Sequence, residues 1–212
     1  MKNRPLILIV IAIALLVFVV PAVFADGPVE GRNGRAEVRF MEGMIDHHQM
    51  AIDMSNDCLT KASSESLRTM CQNIIDAQSA EIAQMQDWLM NWYGIQYAPM
   101  PMMDMMGMMG DMDHSMMGQD ATETPEGTMM RDPPMMGMMA GLNQLEGVEY
   151  DIAWAESMID HHDDAIHMSE RLLERVPEGE GHAELRALAQ QIIEDQSTEI
   201  DTLENLITEL SA

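Results

Sequence analysis

The sequence predicts an all-α protein, a four-helix bundle built from two repeated helical hairpins. Three observations support this prediction: a twelve-residue segment occurs twice, apolar residues around each copy recur at helical spacing, and a second shared segment follows each copy. One hairpin leaves its apolar face open to water, whereas two hairpins bury their apolar faces against each other.

The repeated segment covers residues 44–55 and returns at 158–169, with nine of twelve positions identical. The first copy reads Met-Ile-Asp-His-His-Gln-Met-Ala-Ile-Asp-Met-Ser. The second shared segment covers residues 74–82 and 192–200 and reads Ile-Ile-x-x-Gln-Ser-x-Glu-Ile. The offset between copies grows from 114 to 118 residues, and the extra residues fall in a Pro/Gly-containing loop where insertion is tolerated.

The chain begins with a segment typical of a secretory signal. It has a basic start, an apolar run over residues 6–20 and small residues before a predicted cleavage after residue 25. An uncleaved membrane anchor is the alternative, because residues 6–25 are long enough to span a thin bilayer. Both interpretations predict that the rest of the chain lies in the periplasm or the extracellular space. Residues 26–35 are predicted to be a linker.

The two hairpins are predicted over residues 36–95 and 144–212. The expected helices are 36–61, 67–92, 144–175 and 183–210. A turn and helix N-cap are predicted at Ser63-Ser64-Glu65, and the second helix is expected to end near Gly94.

A methionine-rich segment, residues 96–143, separates the hairpins and is predicted to be a disordered, low-complexity insert. Of the 26 methionines, 16 lie between residues 100 and 139. Thioethers are soft, neutral ligands that select Cu(I) and Ag(I), so the insert is predicted to take up these ions. A flexible linker, or an adhesive surface for partner proteins, is the alternative. An accessory metal site is expected at Met112, His114, Met116 and Met117.

The chain is strongly acidic, with a net charge of −25 at pH 7. Removal of the signal takes away two of the 11 basic residues and none of the 36 acids. Such a surface repels nucleic acid and attracts cations.

Cys58 and Cys71 are the two cysteines of the sequence, and they lie at nearly equal distances from the predicted turn. In an antiparallel hairpin outside the cytoplasm they are expected to face each other and form a disulfide. Copper binding by this pair is the alternative. The second hairpin has Leu172 and Ala189 at the equivalent positions.

The histidines of the motif lie on the inward face of their helices. At 100° per residue, His48 is near the middle of the apolar stripe and His47 is near its edge. Met44 stands one turn before both, a spacing at which a thioether and an imidazole can meet. His167 lies on the wet face of its helix.

The second helix of each hairpin carries an amide and a carboxylate on its inward face. Because unpaired burial costs about 1–3 kcal/mol each, we expect these groups to partner the histidines and to hold the outer N–H of a ligand imidazole. They are Gln78, Glu81, Gln196 and Glu199. The alternative is a buried polar lock between helices with no metal.

These motifs resemble the domain of unknown function 305 family, over residues 36–92 and 146–210. The family looks like ferritin-like helical bundles, and some of its exported members are copper-resistance proteins that bind copper. The resemblance implies candidate ligands in both repeats. They are Met44, His47, His48, Met54, Met158, His161, His162 and Met168. Di-iron bundles carry Glu-x-x-His pairs, which both copies of the motif lack, so hard-metal redox chemistry is not supported.

The predicted function is therefore an extracytoplasmic copper-binding protein that is not an enzyme. It would sequester or carry Cu(I), and also Cu(II) or Ag(I), for copper resistance, with a copper exporter or chaperone as a partner. The repeat predicts two equivalent half-bundles, each presenting a Met/His site. A copper-dependent oxidoreductase and a structural or interaction bundle without metal are the alternatives.

Overall fold

The computed structural model describes residues 27–99 and 141–212, which form four long helices in two antiparallel hairpins. They are α1 (Gly31–Lys61), α2 (Glu65–Tyr93), α3 (Gly147–Arg175) and α4 (Ala183–Leu210). Helix α1 packs on α2, α3 packs on α4, and α1 joins the hairpins by packing on α3. The predicted all-α bundle is confirmed. The predicted signal and nearly all of the methionine-rich insert lie outside the described residues.

Helix α1 begins five residues before its predicted start, so residues 31–35 are helical and not a linker. Gly31 has a φ of +74°, a left-handed conformation that favours glycine. Helix α2 begins two residues before its predicted start, but its N-cap and its end are as predicted: the Ser64 hydroxyl accepts a hydrogen bond from the Leu67 amide, and Gly94 ends the helix with a φ of +66°. Among the described helices, none contains a stretch long and apolar enough to cross a membrane.

Asp151 of α3 holds the loop that joins α1 to α2. Its buried carboxylate accepts hydrogen bonds from the Ser63 and Ser64 amides at 2.9 and 2.7 Å, and from the Ser63 hydroxyl at 2.7 Å. The donors belong to one hairpin and the acceptor to the other.

Glu37 of α1 does the same for the loop that joins α3 to α4. Its buried carboxylate accepts from the His182 amide at 2.7 Å and from the Tyr93 hydroxyl at 2.5 Å, and lies 2.6 Å from His182 Nδ1. Glu37 and Asp151 are 114 residues apart, the offset of the sequence repeat. We call these two arrangements the crossed clamps, because each hairpin supplies the acid that orders the loop of the other.

Two apolar clusters fill the bundle. The first apolar cluster joins the N-terminal half of α1 to the C-terminal half of α3 and includes Phe40, Met41, Met44, Met85, Leu89, Trp92, Met168, Leu172, Leu185 and Ile192. The second apolar cluster joins the opposite halves and includes Met54, Cys58, Leu67, Cys71, Ile74, Tyr150, Trp154, Met158, Leu203 and Leu206. Helices α1 and α3 are therefore antiparallel, and the clusters lie at opposite ends.

A disulfide joins Cys58 to Cys71 within the second apolar cluster, with the Cα atoms 6.4 Å apart. Both cysteines are fully buried. The bond fixes the register of α1 against α2. In the other hairpin, Leu172 and Ala189 are buried in the first apolar cluster.

Candidate metal centre

The motif histidines meet where α1 crosses α3, between the two apolar clusters. The rings of His47 and His161 lie 3.7 Å apart between centroids and are tilted by 37°. His161 Nε2 lies 3.0 Å from the His47 carbonyl oxygen. Seven residues farther along α1 and seven residues back along α3, Trp154 Nε1 donates to the Met54 carbonyl at 3.1 Å. This register brings equivalent residues of the two repeats together at one point.

His48 and His162 flank this central pair, one on each side. Their ring centroids lie 6.3 Å from His47 and 6.1 Å from His161, respectively. His48 Nε2 is 2.7 Å from Glu81 Oε2, and His162 Nε2 is 2.7 Å from Glu199 Oε2. Both contacts are at ion-pair distance, but neither has the direction of a hydrogen bond within the described part of the chain. We call the four imidazoles the histidine layer.

The two glutamines behave differently from the two glutamates. Gln78 and Gln196 are buried, yet within residues 27–99 and 141–212 the Gln78 amide and Gln196 Oε1 have no hydrogen-bond partner. The predicted pairing of the glutamines with the histidines is therefore wrong. Gln78 lies three residues before Glu81, and the antiparallel register sets it opposite Ala51 and away from His48.

Burial favours the neutral form of His47 and His161, the two central histidines. It lowers the pKa of His47 and of His161 well below the ordinary value, and the neighbouring imidazoles lower both further. Neutral imidazole is the form that binds metals. Neither ring nitrogen of His47 has a hydrogen-bond partner in the described residues, so both remain available as ligands.

Carboxylates collect beside the histidine layer, between it and solvent. Glu81 and Glu199 are 14% and 16% exposed, whereas the histidines that they touch are completely buried. Burial raises the pKa of Asp195, and the charges of Glu81 and Glu199 raise it further, so acids of α2 and α4 interact here. Asp195 was not predicted from the sequence. Its position one turn before Glu199 is the signal that could have indicated it.

The motif methionines are grouped across the repeats. Met44 shares the first apolar cluster with Met168, and Met54 shares the second with Met158. The two predicted Met/His sites therefore adjoin each other at one histidine layer, with a pair of motif thioethers toward each end. The cause is the antiparallel crossing of α1 and α3, which exchanges the ends of the two motifs.

Nitrogen and oxygen ligands alone do not complete a site. In the described ranges, no three side chains of His, Cys, Asp or Glu are grouped closely enough to hold a metal ion. The two central rings lie against each other and do not converge on one point. A metal at this centre would thus need thioether ligands or rotation of an imidazole. The predicted accessory site, Met112, His114, Met116 and Met117, lies outside the described residues.

Comparison with known families identifies the chain. The family model described as Domain of unknown function (DUF305) matches residues 37–207. The protein belongs to this family. A comparison with curated proteins gives no match.

Solved structures of DUF305 proteins and of CopM share the fold. The chain is 29% identical to CopM in its Cu(II)-bound form, with a TM-score of 0.56, covering 82% of this chain and 96% of CopM. A protein from Streptomyces coelicolor, described as a secreted DUF305 protein, is 25% identical with a TM-score of 0.60, covering 84% and 93%. A DUF305 fragment from Deinococcus radiodurans is 24% identical with a TM-score of 0.60, covering 86% and 99%.

Proposed function

We propose that this DUF305 protein binds copper outside the cytoplasm and sequesters or carries it without catalytic turnover. The observation that supports the proposal most directly is the histidine layer: four imidazoles from two repeats meet in the interior. Several of their nitrogens have no hydrogen-bond partner among the described residues. Leaving such groups unpaired costs about 1–3 kcal/mol each, and a bound cation would remove that cost.

The chemistry of the surrounding groups favours copper. Imidazole binds both oxidation states, and the thioethers on either side of the histidine layer favour Cu(I) and Ag(I). The ligand candidates remain those of the two motifs: Met44, His47, His48, Met54, Met158, His161, His162 and Met168. Glu81 and Glu199 touch His48 and His162, where they would orient these imidazoles and increase their basicity.

The comparisons support the same conclusion. CopM, which is similar along most of this chain, has been crystallised with Cu(II). The Streptomyces relative is described as secreted, which agrees with the signal-like start of this sequence and with its single disulfide. A net charge of −25 would draw cations toward the surface. Residues 96–143 would bind further Cu(I) or Ag(I) through interchangeable methionines, and a copper exporter or chaperone would exchange ions with the protein.

Titration of the mature protein with Cu(I) and Ag(I), followed by X-ray absorption, tests the proposal. The variant with His47, His48, His161 and His162 changed to Gln should lose the nitrogen-ligated copper. A His167→Ala variant is the matched control, because this exposed histidine lies on the same helix as His161 and His162. Unchanged nitrogen ligation in the quadruple variant would contradict the proposal.

The role of the insert is tested separately. Deletion of residues 98–141 should lower the number of ions bound and leave the nitrogen-ligated copper in place. An unchanged stoichiometry would remove the insert from the proposed function. Circular dichroism of each variant establishes that the helices are retained.

A further inference from the structure

The first apolar cluster contains four buried methionines from three helices. Met41 and Met44 of α1 and Met85 of α2 are fully buried, and Met168 of α3 is 8% exposed. Two of the four, Met41 and Met85, lie outside the repeated motif. The cluster adjoins the histidine layer, because Met44 lies one turn before His47 and His48 on α1.

Met44 and Met85 face each other across the α1–α2 interface. The register is fixed twice: by the disulfide from Cys58 to Cys71 and by the contact of His48 with Glu81. From the first pair to the second, the position moves ten residues back along α1 and ten residues forward along α2. Four further residues in the same directions set Met44 opposite Met85. Their thioethers therefore project into the same layer of the bundle.

Met168 reaches this layer from α3 because α1 has a glycine there. A Cβ atom at Gly43 would lie 3.3 Å from the terminal methyl of Met168, so a side chain at this position would press on the thioether. Met41 stands one turn before Met44 on the same face of α1. Three helices thus supply four thioethers to one buried volume.

The other end of the bundle has a different composition at equivalent positions. The repeat offsets set Ala155 where Met41 would be and Leu203 where Met85 would be, and both are buried in the second apolar cluster. That end keeps Met54 and Met158 in its interior, while Met50 and Met70 are half-buried at its rim. The same fold is therefore packed with fewer buried thioethers, which shows that the bundle does not require the additional pair for packing.

We propose that Met41, Met44, Met85 and Met168 form an all-thioether site for a soft monovalent cation, Cu(I) or Ag(I), separate from the histidine layer. Thioethers are neutral and soft, so they bind such an ion without losing a proton. The surroundings are apolar, and the cost of burying an ion rises steeply with its charge, so the site discriminates against Cu(II) and other divalent ions. The inference rests on the proposed copper function but concerns ligands that the histidine variants leave intact.

The test uses the full-length mature protein labelled with ¹³C at the methionine methyl groups. Ag(I) is added until its uptake is complete, so that methionines of residues 96–143 cannot hide the result by competition. The resonances of the four cluster methyls should shift, and Zn(II) should leave them unchanged. Absence of a shift at saturating Ag(I) would overturn the proposal.

Met85→Leu copies Leu203 and conserves volume, so the fold is retained. The Ag(I) affinity reported by the methyl resonances of the other three methionines should fall by about tenfold or more. Met90→Leu is the matched control, since Met90 is 45% exposed on the same helix. Equal Ag(I) responses in both variants would overturn the proposed ligand set.

Two further variants separate this site from the histidine layer. The quadruple His→Gln variant should keep the Ag(I) shifts of the four methyls; their loss would mean one mixed Met/His site and would overturn the inference. Failure of copper binding at the histidines with these shifts retained would contradict the proposed function alone. Ala155→Met with Leu203→Met should strengthen the Ag(I) binding reported by Met54 and Met158 above that of the natural protein, and an unchanged affinity would overturn the role assigned to the additional pair.

Discussion

The two hairpins agree at the middle of the bundle and differ toward its ends. At the middle, each supplies two adjacent histidines and a glutamate within 2.7 Å of the second histidine. Toward the ends, the first hairpin has a disulfide where the second has Leu172 and Ala189, and it has Met85 where the second has Leu203. Apolar positions accept any side chains of suitable volume, whereas the polar middle needs particular atoms. The polar chemistry therefore belongs to the part that both hairpins share, and the thioether composition is what distinguishes the two ends.

The crossed clamps provide the sharpest comparison of the two halves. Replacing Asp151 or Glu37 by Ala removes the acceptor for several donors and should lower the free energy of unfolding by about 3 kcal/mol. Glu37→Ala should be the more harmful, because His182 is buried, whereas Ser63 is exposed and water can replace the lost acceptor. Urea denaturation followed by circular dichroism measures both losses.

Asp160→Ala is the control for the clamp variants, since Asp160 is exposed on the same helix as Asp151. It should change the unfolding free energy by less than about 0.5 kcal/mol. Equal losses for Asp151→Ala and Glu37→Ala would show that burial of the donors does not decide the cost.

The disulfide distinguishes the hairpins by a covalent bond. The double variant Cys58→Leu, Cys71→Ala has the residues of Leu172 and Ala189 at the equivalent positions. Its free energy of unfolding should be lower by about 2–3 kcal/mol, chiefly because the unfolded chain gains conformational entropy without the cross-link. Urea denaturation with and without a reductant measures the effect. Reductant should destabilise the natural protein and leave the variant unchanged; a variant as stable as the oxidised protein would contradict the expectation.

The stability of the metal-free protein should depend on pH through the histidines that the hairpins share. Folding lowers the pKa of His47 and His161 below the ordinary 6.5, so the unfolded chain binds more protons below that pH. Stability should be full above about pH 6.5 and fall as the solution is made more acidic, by at most about 1.4 kcal/mol per pH unit for each ring. Urea midpoints between about pH 7.5 and about pH 5 measure the change.

The variant with His47→Gln and His161→Gln is the informative control for this pH dependence. It should show a flatter profile over the same range, while His167→Ala should retain the natural profile. An unchanged slope in the double variant would assign the acid sensitivity to other groups.

The smallest expected effect concerns Gly43, whose counterpart in the second repeat is Ser157. Gly43→Ala should stabilise the helix by about 1 kcal/mol, because alanine has the higher helix propensity. The added Cβ would lie 3.3 Å from the Met168 methyl, and this close contact opposes the gain. Methionine is flexible, so the two effects should cancel to within about 1 kcal/mol. Thermal unfolding measures the balance, and a loss several times larger would show that Met168 cannot move aside.

Helical periodicity predicted much of the fold. It gave the hairpins, the inward position of the histidines and the proximity of Cys58 to Cys71, because each depends on spacing along one or two neighbouring helices. The contact of His48 with Glu81 follows from the same register. Periodicity assigned Gln78 to the inward face as well, but it could not show that the Gln78 amide makes no hydrogen bond to a histidine.

Helical periodicity could not predict that α1 packs against α3. A helical pattern tells which face is buried and not which helix covers it, so the partnership of Met44 with Met168 was not predicted. The crossed clamps were missed although a signal exists. Glu37 and Asp151 lie seven residues before Met44 and Met158, on the buried stripe where an acid needs a specific partner.

The crossed clamps also bear on how the chain connects its two halves. Each half completes the other through buried hydrogen bonds and packing that lie wholly within residues 27–99 and 141–212. We expect two separately expressed halves to find each other and assemble, as fragments of one protein do. A chain break in the connection would then leave the crossed clamps in place, and the length of the connection could change during evolution without loss of these contacts.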